Sequence, residues 1–240
     1  FSLIFLFDIE RTLTPPTQRI EDSFETFFVH FIQTRKSQGD NIILVTGSDK
    51  DKTIEQIGMP LWRTVDYCFQ NCGNKKKKKG NLIRESEWQQ PEGLIQSVKN
   101  IVRKSCWFGT AGNNIEHRQG MINISTVGRD CTKEERTKYY EWDKVNEERK
   151  HIVNVLKSKY NNLDLAIGGE ISIDIYEKGK DKAQAIEAIK DFGLLDKNIF
   201  FGDRCEEGGD DYSIAIASDE SHHVKDWKDT KRILEIFLKL

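Results

Sequence analysis

The chain has 240 residues, 32% of them charged and 37% hydrophobic, and 37 lysines and arginines against 39 aspartates and glutamates leave a net charge of −2. That length suits one large domain or two modest ones, and a balance so near neutral excludes a nucleic-acid binder held by bulk electrostatics. No apolar run approaches the roughly 18 residues needed to span a bilayer, so no membrane partner is expected.

The first apolar run, SLIFLF (Ser2–Phe7), reads as a buried strand. It is short, lacks a basic leader and runs straight into acids, so a strand is expected here rather than a secretory signal. From Ile20 to Ser37 the pattern becomes helical: Phe24, Phe27, Phe28, Phe31 and Ile32 fall on one stripe. NIILVTG (Asn41–Gly47) and YCFQNCG (Tyr67–Gly73) predict a second and a third strand. The lysine run Lys75–Lys79 reads as a solvated turn near a domain junction. INISTVG (Ile122–Gly128) and EISIDIYEKG (Glu170–Gly179) alternate apolar and polar residues, as half-exposed antiparallel strands do. Between them, Thr132 to Lys159 is charge-rich and helical in pattern. KAQAIEAIKDF (Lys182–Phe192) predicts a further helix leading into a fourth buried strand, NIFFGD (Asn198–Asp203). Continuous apolar strands alternating with helices predict an α/β fold with a Rossmann-like parallel sheet. The expected core is discontinuous, residues 1–80 and 181–240, with an inserted α+β domain over 81–180 that carries an antiparallel sheet. Five cysteines (Cys68, Cys72, Cys106, Cys131, Cys205) show no Cys-x-x-Cys pair and no histidine at zinc spacing, which predicts free thiols in a reducing cytosol.

The chemistry is expected where strands end. FLFDIERTLTPP (Phe5–Pro16) drives a buried strand into Asp8 and Glu10, two acids on one side of the chain. Ligands of parallel sheets bind at the carboxyl ends of strands. Two adjacent carboxylates repel unless a divalent cation joins them, and an aspartate beside such a cation is a competent phosphoryl nucleophile. Taken alone, Asp8 could equally cap the turn that follows it. Further along, LVTGSD ends a strand with Thr46 and Ser48, hydroxyls suited to a phosphate oxygen. GKDKAQA puts Lys182 at the start of a helix, and FFGDRCEEGGDD ends another strand with Asp203, followed by Asp210 and Asp211.

Acid, hydroxyl, lysine and acidic cluster in that order resemble the haloacid dehalogenase superfamily, and the predicted core is of that kind. The insertion strings IEHRQGMINISTVGRDCTKEER and IGGEISIDIYEKGKDK closely resemble the cap signatures of eukaryotic phosphomannomutases. The likeness continues through EQIG (Glu55–Gly58), FFGD…GGDD and KDTKRILEIF. It implies a cytoplasmic isomerase of mannose metabolism and GDP-mannose biosynthesis. Such an enzyme interconverts mannose 6-phosphate and mannose 1-phosphate, with Mg2+ as cofactor and a hexose 1,6-bisphosphate as activator. By the same resemblance Asp8 is the nucleophile, Glu10 the acid/base and Lys182 the ammonium that neutralises the phosphoryl group. Magnesium is expected on Asp8, Glu10 (through its backbone carbonyl) and Asp203. Arg118, Arg129 and Arg136 would clamp the distal phosphate of a hexose phosphate, Ser172 and Asp174 would meet phosphate and sugar hydroxyls, and Ser48 a phosphate oxygen. A homodimer through the cap is implied as well.

The chain departs from the family in places. Where the family reads D-V-D-G-T, this sequence has Asp8, Ile9, Glu10, Arg11 and Thr12. The extra methylene of Glu10 moves its carboxyl by about an ångström, a shift able to cost on the order of 100-fold in rate. Arg11 replaces a glycine, so a turn requiring positive φ would strain it. Thr17 stands where the family has a substrate arginine, with Arg19 two residues on, and the family's ENG loop reads Asn71, Cys72, Gly73. Ala217 occupies the place of an aspartate of a second cation site, so no second metal is expected. His222 and His223 read as surface residues, and Trp88, Trp107 and Trp142 as packing or interface residues. Two rival functions follow: a sugar phosphatase of the same superfamily, and a catalytically impaired sugar-phosphate-binding homologue.

Overall fold

In the computed structural model, which describes residues 2–239, the first strand shows why its sequence is apolar on both sides. In β1 (Leu3–Phe7), Phe5 and Phe7 enter one core cluster while Ile4 and Leu6 enter another on the opposite face of the sheet. The first cluster is built on α1 (Asp22–Ser37), whose Phe28 and Phe31 meet Phe7 and Phe5 edge-on at 5.2 and 5.3 Å between ring centres. Such aromatic pairs add to the stabilisation from burial itself.

The chain continues through β2 (Asn41–Val45), α2 (Lys50–Thr64) and β3 (Tyr67–Gln70). The Asp49 carboxylate caps α2, accepting from the Lys52 N–H at 2.9 Å. A single 3-10 turn, Asn71–Gly73, then leads to β4 (Lys75–Lys78) and β5 (Asn81–Glu85). The lysine run is therefore a strand rather than a solvated turn. It pairs antiparallel with β3, Lys77 opposite Cys68. Buried Lys77 lays its ammonium 5.4 Å from the centre of the Trp62 ring, and Lys78 does the same over Tyr67. Aromatic faces thus cover two of the run's five ammonium groups. Lys79 and Gly80, both at positive φ (47° and 79°), close the β4–β5 hairpin. β5 belongs to this sheet, five residues past the expected core limit at residue 80.

The insertion comprises α3 (Leu94–Arg103), β6 (Ile115–Arg118), β7 (Met121–Ile124), α4 (Lys133–Asn146), α5 (Glu148–Lys159), β8 (Leu163–Gly168) and β9 (Ser172–Glu177). The helical stretch over 132–159 divides into two helices, because Glu147 adopts φ 51° between α4 and α5. Thr132 and Glu135 start α4 with reciprocal hydrogen bonds to each other's backbone N–H. Ile122, Ile124, Ile173 and Ile175 of the strands pack on Val98 of α3 and Ile152 and Leu156 of α5. Trp107 and Trp142 pack with Tyr139, and Trp88 packs against the insertion's core.

The chain returns through α6 (Gln184–Asp191), β10 (Lys197–Gly202), α7 (Tyr212–Ala217), β11 (Glu220–His223) and α8 (Trp227–Phe237). Among the described residues the larger sheet has seven strands in the order β11-β10-β1-β2-β3-β4-β5. It is parallel from β11 to β3, with β4 and β5 antiparallel at its edge. The smaller sheet, β6-β7-β9-β8, is antiparallel throughout. All five cysteines are free, and no helix among the described residues is long and apolar enough to cross a membrane.

Candidate active site

Because β1, β2 and β10 run parallel and adjacent, their carboxyl ends deliver Asp8, the Thr46–Ser48 segment and Asp203 to one edge of the larger sheet. The Asp8 N–H donates to the Phe201 carbonyl at 2.9 Å, and the turn after it closes through Arg11 N–H to Thr14 O at 2.8 Å and Leu13 N–H to Ile9 O at 2.8 Å. Buried Ile9 and Leu13 anchor that turn in the core.

Asp8 is 5% exposed, and Lys182, two residues before α6, is 1% exposed beneath it. The Lys182 ammonium lies 2.9 Å from Asp8 Oδ1, 2.8 Å from Asp210 Oδ2 and 2.7 Å from Asp211 Oδ1. Carboxylate oxygens of Asp8, Asp203 and Asp211 all fall within 4.8 Å of one another. Burial pushes the Asp8 carboxyl well above its ordinary range; Lys182 opposes the shift and Asp211 and Asp210 reinforce it. Asp203 is raised in the same way, by burial first and then by Asp211, Asp8 and Asp210. One lysine does not balance this many acids.

Glu10 behaves differently. Its Oε2 accepts from the Lys52 ammonium at 3.2 Å, away from the three clustered aspartates. Burial works to raise its pKa, but Lys52, Arg136 and Arg11 override that and leave it below the usual glutamate range. Glu10 is therefore an ionised carboxylate held by cations.

The insertion faces this edge with arginines. Arg118, at the end of β6, donates from Nε and Nη2 to the two oxygens of Glu116 at 2.9 and 3.0 Å, and from Nη1 to the Gly47 carbonyl at 2.7 Å. Arg129 shares Glu116, its Nε donating at 2.8 Å, and reaches the Ser172 hydroxyl at 3.1 Å. Arg136 Nη1 stands 3.7 Å from Glu170 Oε2. Buried Asp174 accepts from Asn123 Nδ2 at 2.6 Å and lies 3.9 Å from the Cys72 thiol. Where the two lobes approach, a Cβ on Gly47 would stand 3.2 Å from Asp174 Oδ2, so any larger residue would have to displace that carboxylate slightly.

One cleft brings together Asp8, Glu10, Ser48, Asp203, Arg118, Arg129, Arg136, Ser172 and Asp174, all expected from the sequence. Lys182 touches Asp8 from below without lining the cleft. Lys52 and Asn123 also line it, neither expected there from the sequence, and Arg11 lines it as well, beside the site where the turn places it. Lys52 was hidden in the charged run that opens α2, and Asn123 was the polar residue of an alternating strand. Asp211 was visible as part of GGDD but not as the partner that completes the aspartate cluster. Thr17 and Arg19 lie apart, on an adjoining cavity that also reaches Arg118, Arg129 and Arg136, and Arg19 is paired to Glu25 at 2.8 Å.

A family model described as eukaryotic phosphomannomutase matches residues 28–240. The chain is 34% identical to a phosphomannomutase of Drosophila melanogaster over 248 residues, covering 99% of this chain and 96% of that protein. It is 33% identical to a phosphomannomutase of Spinacia oleracea over 249 residues, covering 99% and 96%. Its fold is similar to a solved sugar phosphatase of subclass IIB of the HAD (haloacid dehalogenase) superfamily, with a TM-score of 0.60 at 15% identity over 98% of each chain.

Proposed function

The chain belongs to the eukaryotic phosphomannomutase family, and on that premise we propose that its cleft interconverts mannose 6-phosphate and mannose 1-phosphate by phosphoryl transfer through Asp8. The observation that carries the reading is that a buried, acid-clustered Asp8 and the arginines Arg118, Arg129 and Arg136 line one cleft.

Asp8 acts as the nucleophile, and Lys182, fixed against Asp8 Oδ1, holds the carboxylate in place. Glu10, ionised beside Lys52, takes the proton from the sugar hydroxyl that collects the phosphoryl group and returns it when the sugar leaves. Asp8, Asp203 and Asp211 suit a divalent cation, because their clustered oxygens are hard donors and their raised carboxyls mark a deficit of positive charge. Magnesium, the expected ion, would supply charge neutralisation for the transferred phosphoryl group. The larger share of the insertion acts as a cap over the core. Arg118, Arg129 and Arg136 grip the distal phosphate through paired guanidinium hydrogen bonds, and Ser172, already bonded to Arg129, joins them. Asp174 and Asn123 meet sugar hydroxyls, and Ser48 a phosphate oxygen. A hexose 1,6-bisphosphate primes the cycle by leaving a phosphoryl group on Asp8; a hexose phosphate takes that group to become a bisphosphate, which turns end for end between two phosphate grips and returns its other phosphoryl group to Asp8.

The test is incubation with mannose 1-phosphate, magnesium and a trace of glucose 1,6-bisphosphate. Mannose 6-phosphate as the main product is expected. Free inorganic phosphate as the main product would make the chain a sugar phosphatase, and no product at all would leave it a binding homologue.

A further inference from the structure

Arg11 follows Glu10 in the turn that carries the nucleophile, and its backbone sits at φ 66°. That left-handed conformation disfavours any residue with a Cβ, so an arginine persists there only if its surroundings hold it. They do, and from the other lobe. Nη2 donates to Glu170 Oε1 at 2.5 Å, across 159 residues of sequence, with side chains 25% and 12% exposed. The guanidinium carbon lies 5.5 Å from the centre of the Tyr140 ring of α4, and Nε stands 4.0 Å from Asp203 Oδ2. Glu170 in turn faces Arg136 with its second oxygen. One ion pair therefore links the turn bearing Asp8 and Glu10 to the Gly168–Ser172 turn that presents Ser172 to the arginines. Partial burial and the stacked ring make this pair stronger than an open surface bridge.

We propose that Arg11 is a positioning residue that ties the two lobes together through Glu170, and that this tie sets how often the phosphoryl group on Asp8 passes to a sugar hydroxyl rather than to water. The inference rests on the function proposed above. In the productive step a sugar hydroxyl oxygen attacks phosphorus, the bond from phosphorus to the Asp8 oxygen breaks, and the hydroxyl proton goes to Glu10. In the wasteful step a water oxygen attacks the same phosphorus, the same bond breaks, and one water proton goes to Glu10 as inorganic phosphate departs. The chemistry is alike, so the partition depends on whether the lobes stay closed long enough to keep water out.

The experiment compares the wild type with Arg11→Gly, Glu170→Gln, the double variant and Arg11→Lys. Arg11→Gly relieves the backbone and is expected to fold. The first readout is the ratio of inorganic phosphate to hexose 6-phosphate formed from mannose 1-phosphate; the second is amide hydrogen exchange of residues 8–16 and 168–172 without substrate. Each single removal should raise the ratio by about threefold or more and speed exchange in both turns, the double variant should add nothing beyond the larger single effect, and Arg11→Lys should recover part of the wild-type ratio. Unchanged exchange in both single variants overturns the tie itself, and faster exchange with an unchanged ratio overturns its role in partition. A wild type that fails to isomerise defeats the proposed function instead, while the exchange measurement still decides the ion pair.

Discussion

The two walls of the cleft fail to neutralise themselves in opposite senses. On the core side Asp8, Asp203, Asp210 and Asp211 gather around Lys182, and burial with mutual repulsion drives Asp8 and Asp203 upward. On the cap side Arg118 and Arg129 share Glu116, and Arg136 has a distant Glu170 that is already committed to Arg11. One wall lacks a cation and the other lacks an anion. A phosphate ester bound beside a divalent cation answers both deficits, which neither wall accomplishes by itself.

The sharpest break in that comparison is Asp8→Asn. It should remove activity by on the order of 10⁴-fold, as loss of a nucleophile does. Yet it should raise the melting temperature of the metal-free protein, by about 2–4 °C for each kcal/mol of relieved repulsion, read by calorimetry. A melting temperature that falls would mean that Lys182 needs Asp8 more than the acids resist one another. Glu10→Gln comes next, with an expected kcat loss of about 10² to 10⁴-fold from removing the proton acceptor, measured in steady state. On the opposite wall Arg129→Ala should act mainly through KM, raising it about 10- to 100-fold, because a charge-assisted bond to phosphate contributes roughly 1.5–3 kcal/mol. Magnesium should sharpen the contrast further. Millimolar magnesium is expected to raise the melting temperature of the wild type but not of the doubly substituted Asp203→Asn/Asp211→Asn protein. Equal shifts in both would place the cation elsewhere.

The same asymmetry governed what could be read in advance. The acid wall was legible because strands point their ends at chemistry: SLIFLF and NIFFGD announced themselves by unbroken apolar runs, and the acids stood where those runs stopped. The arginine wall was legible only through resemblance, since Arg118, Arg129 and Arg136 have no local pattern of their own. Lys75–Lys78 carries no hydrophobic period at all, so nothing local marked it as a strand; its partners Trp62 and Tyr67 act only once the sheet has formed. Nor does the chain mark the break at Glu147 with glycine or proline. Arg11 could be identified as an oddity from its place in the turn. That its guanidinium would find Glu170 depends on a tertiary contact to which the sequence gives no clue.

The smallest expected effect tests whether the arginine wall is preorganised. Burial works to raise the Glu116 carboxyl, but hydrogen bonds and charge from Arg118, together with Arg129, lower it from the ordinary 4.5 to about 2. A carboxyl depressed in the folded state binds fewer protons there than in the unfolded chain. Its contribution to stability is therefore whole above about pH 5 and disappears as the pH falls toward 2. Because Glu116 is about a third exposed, solvent screening cuts that contribution to about 1 kcal/mol. Urea unfolding of the wild type and of Glu116→Gln should thus differ by about that amount at pH 6 and converge near pH 2. A constant gap across the range would mean that the two guanidinium groups are held apart by packing, and that Glu116 is a bystander to a clamp formed without it.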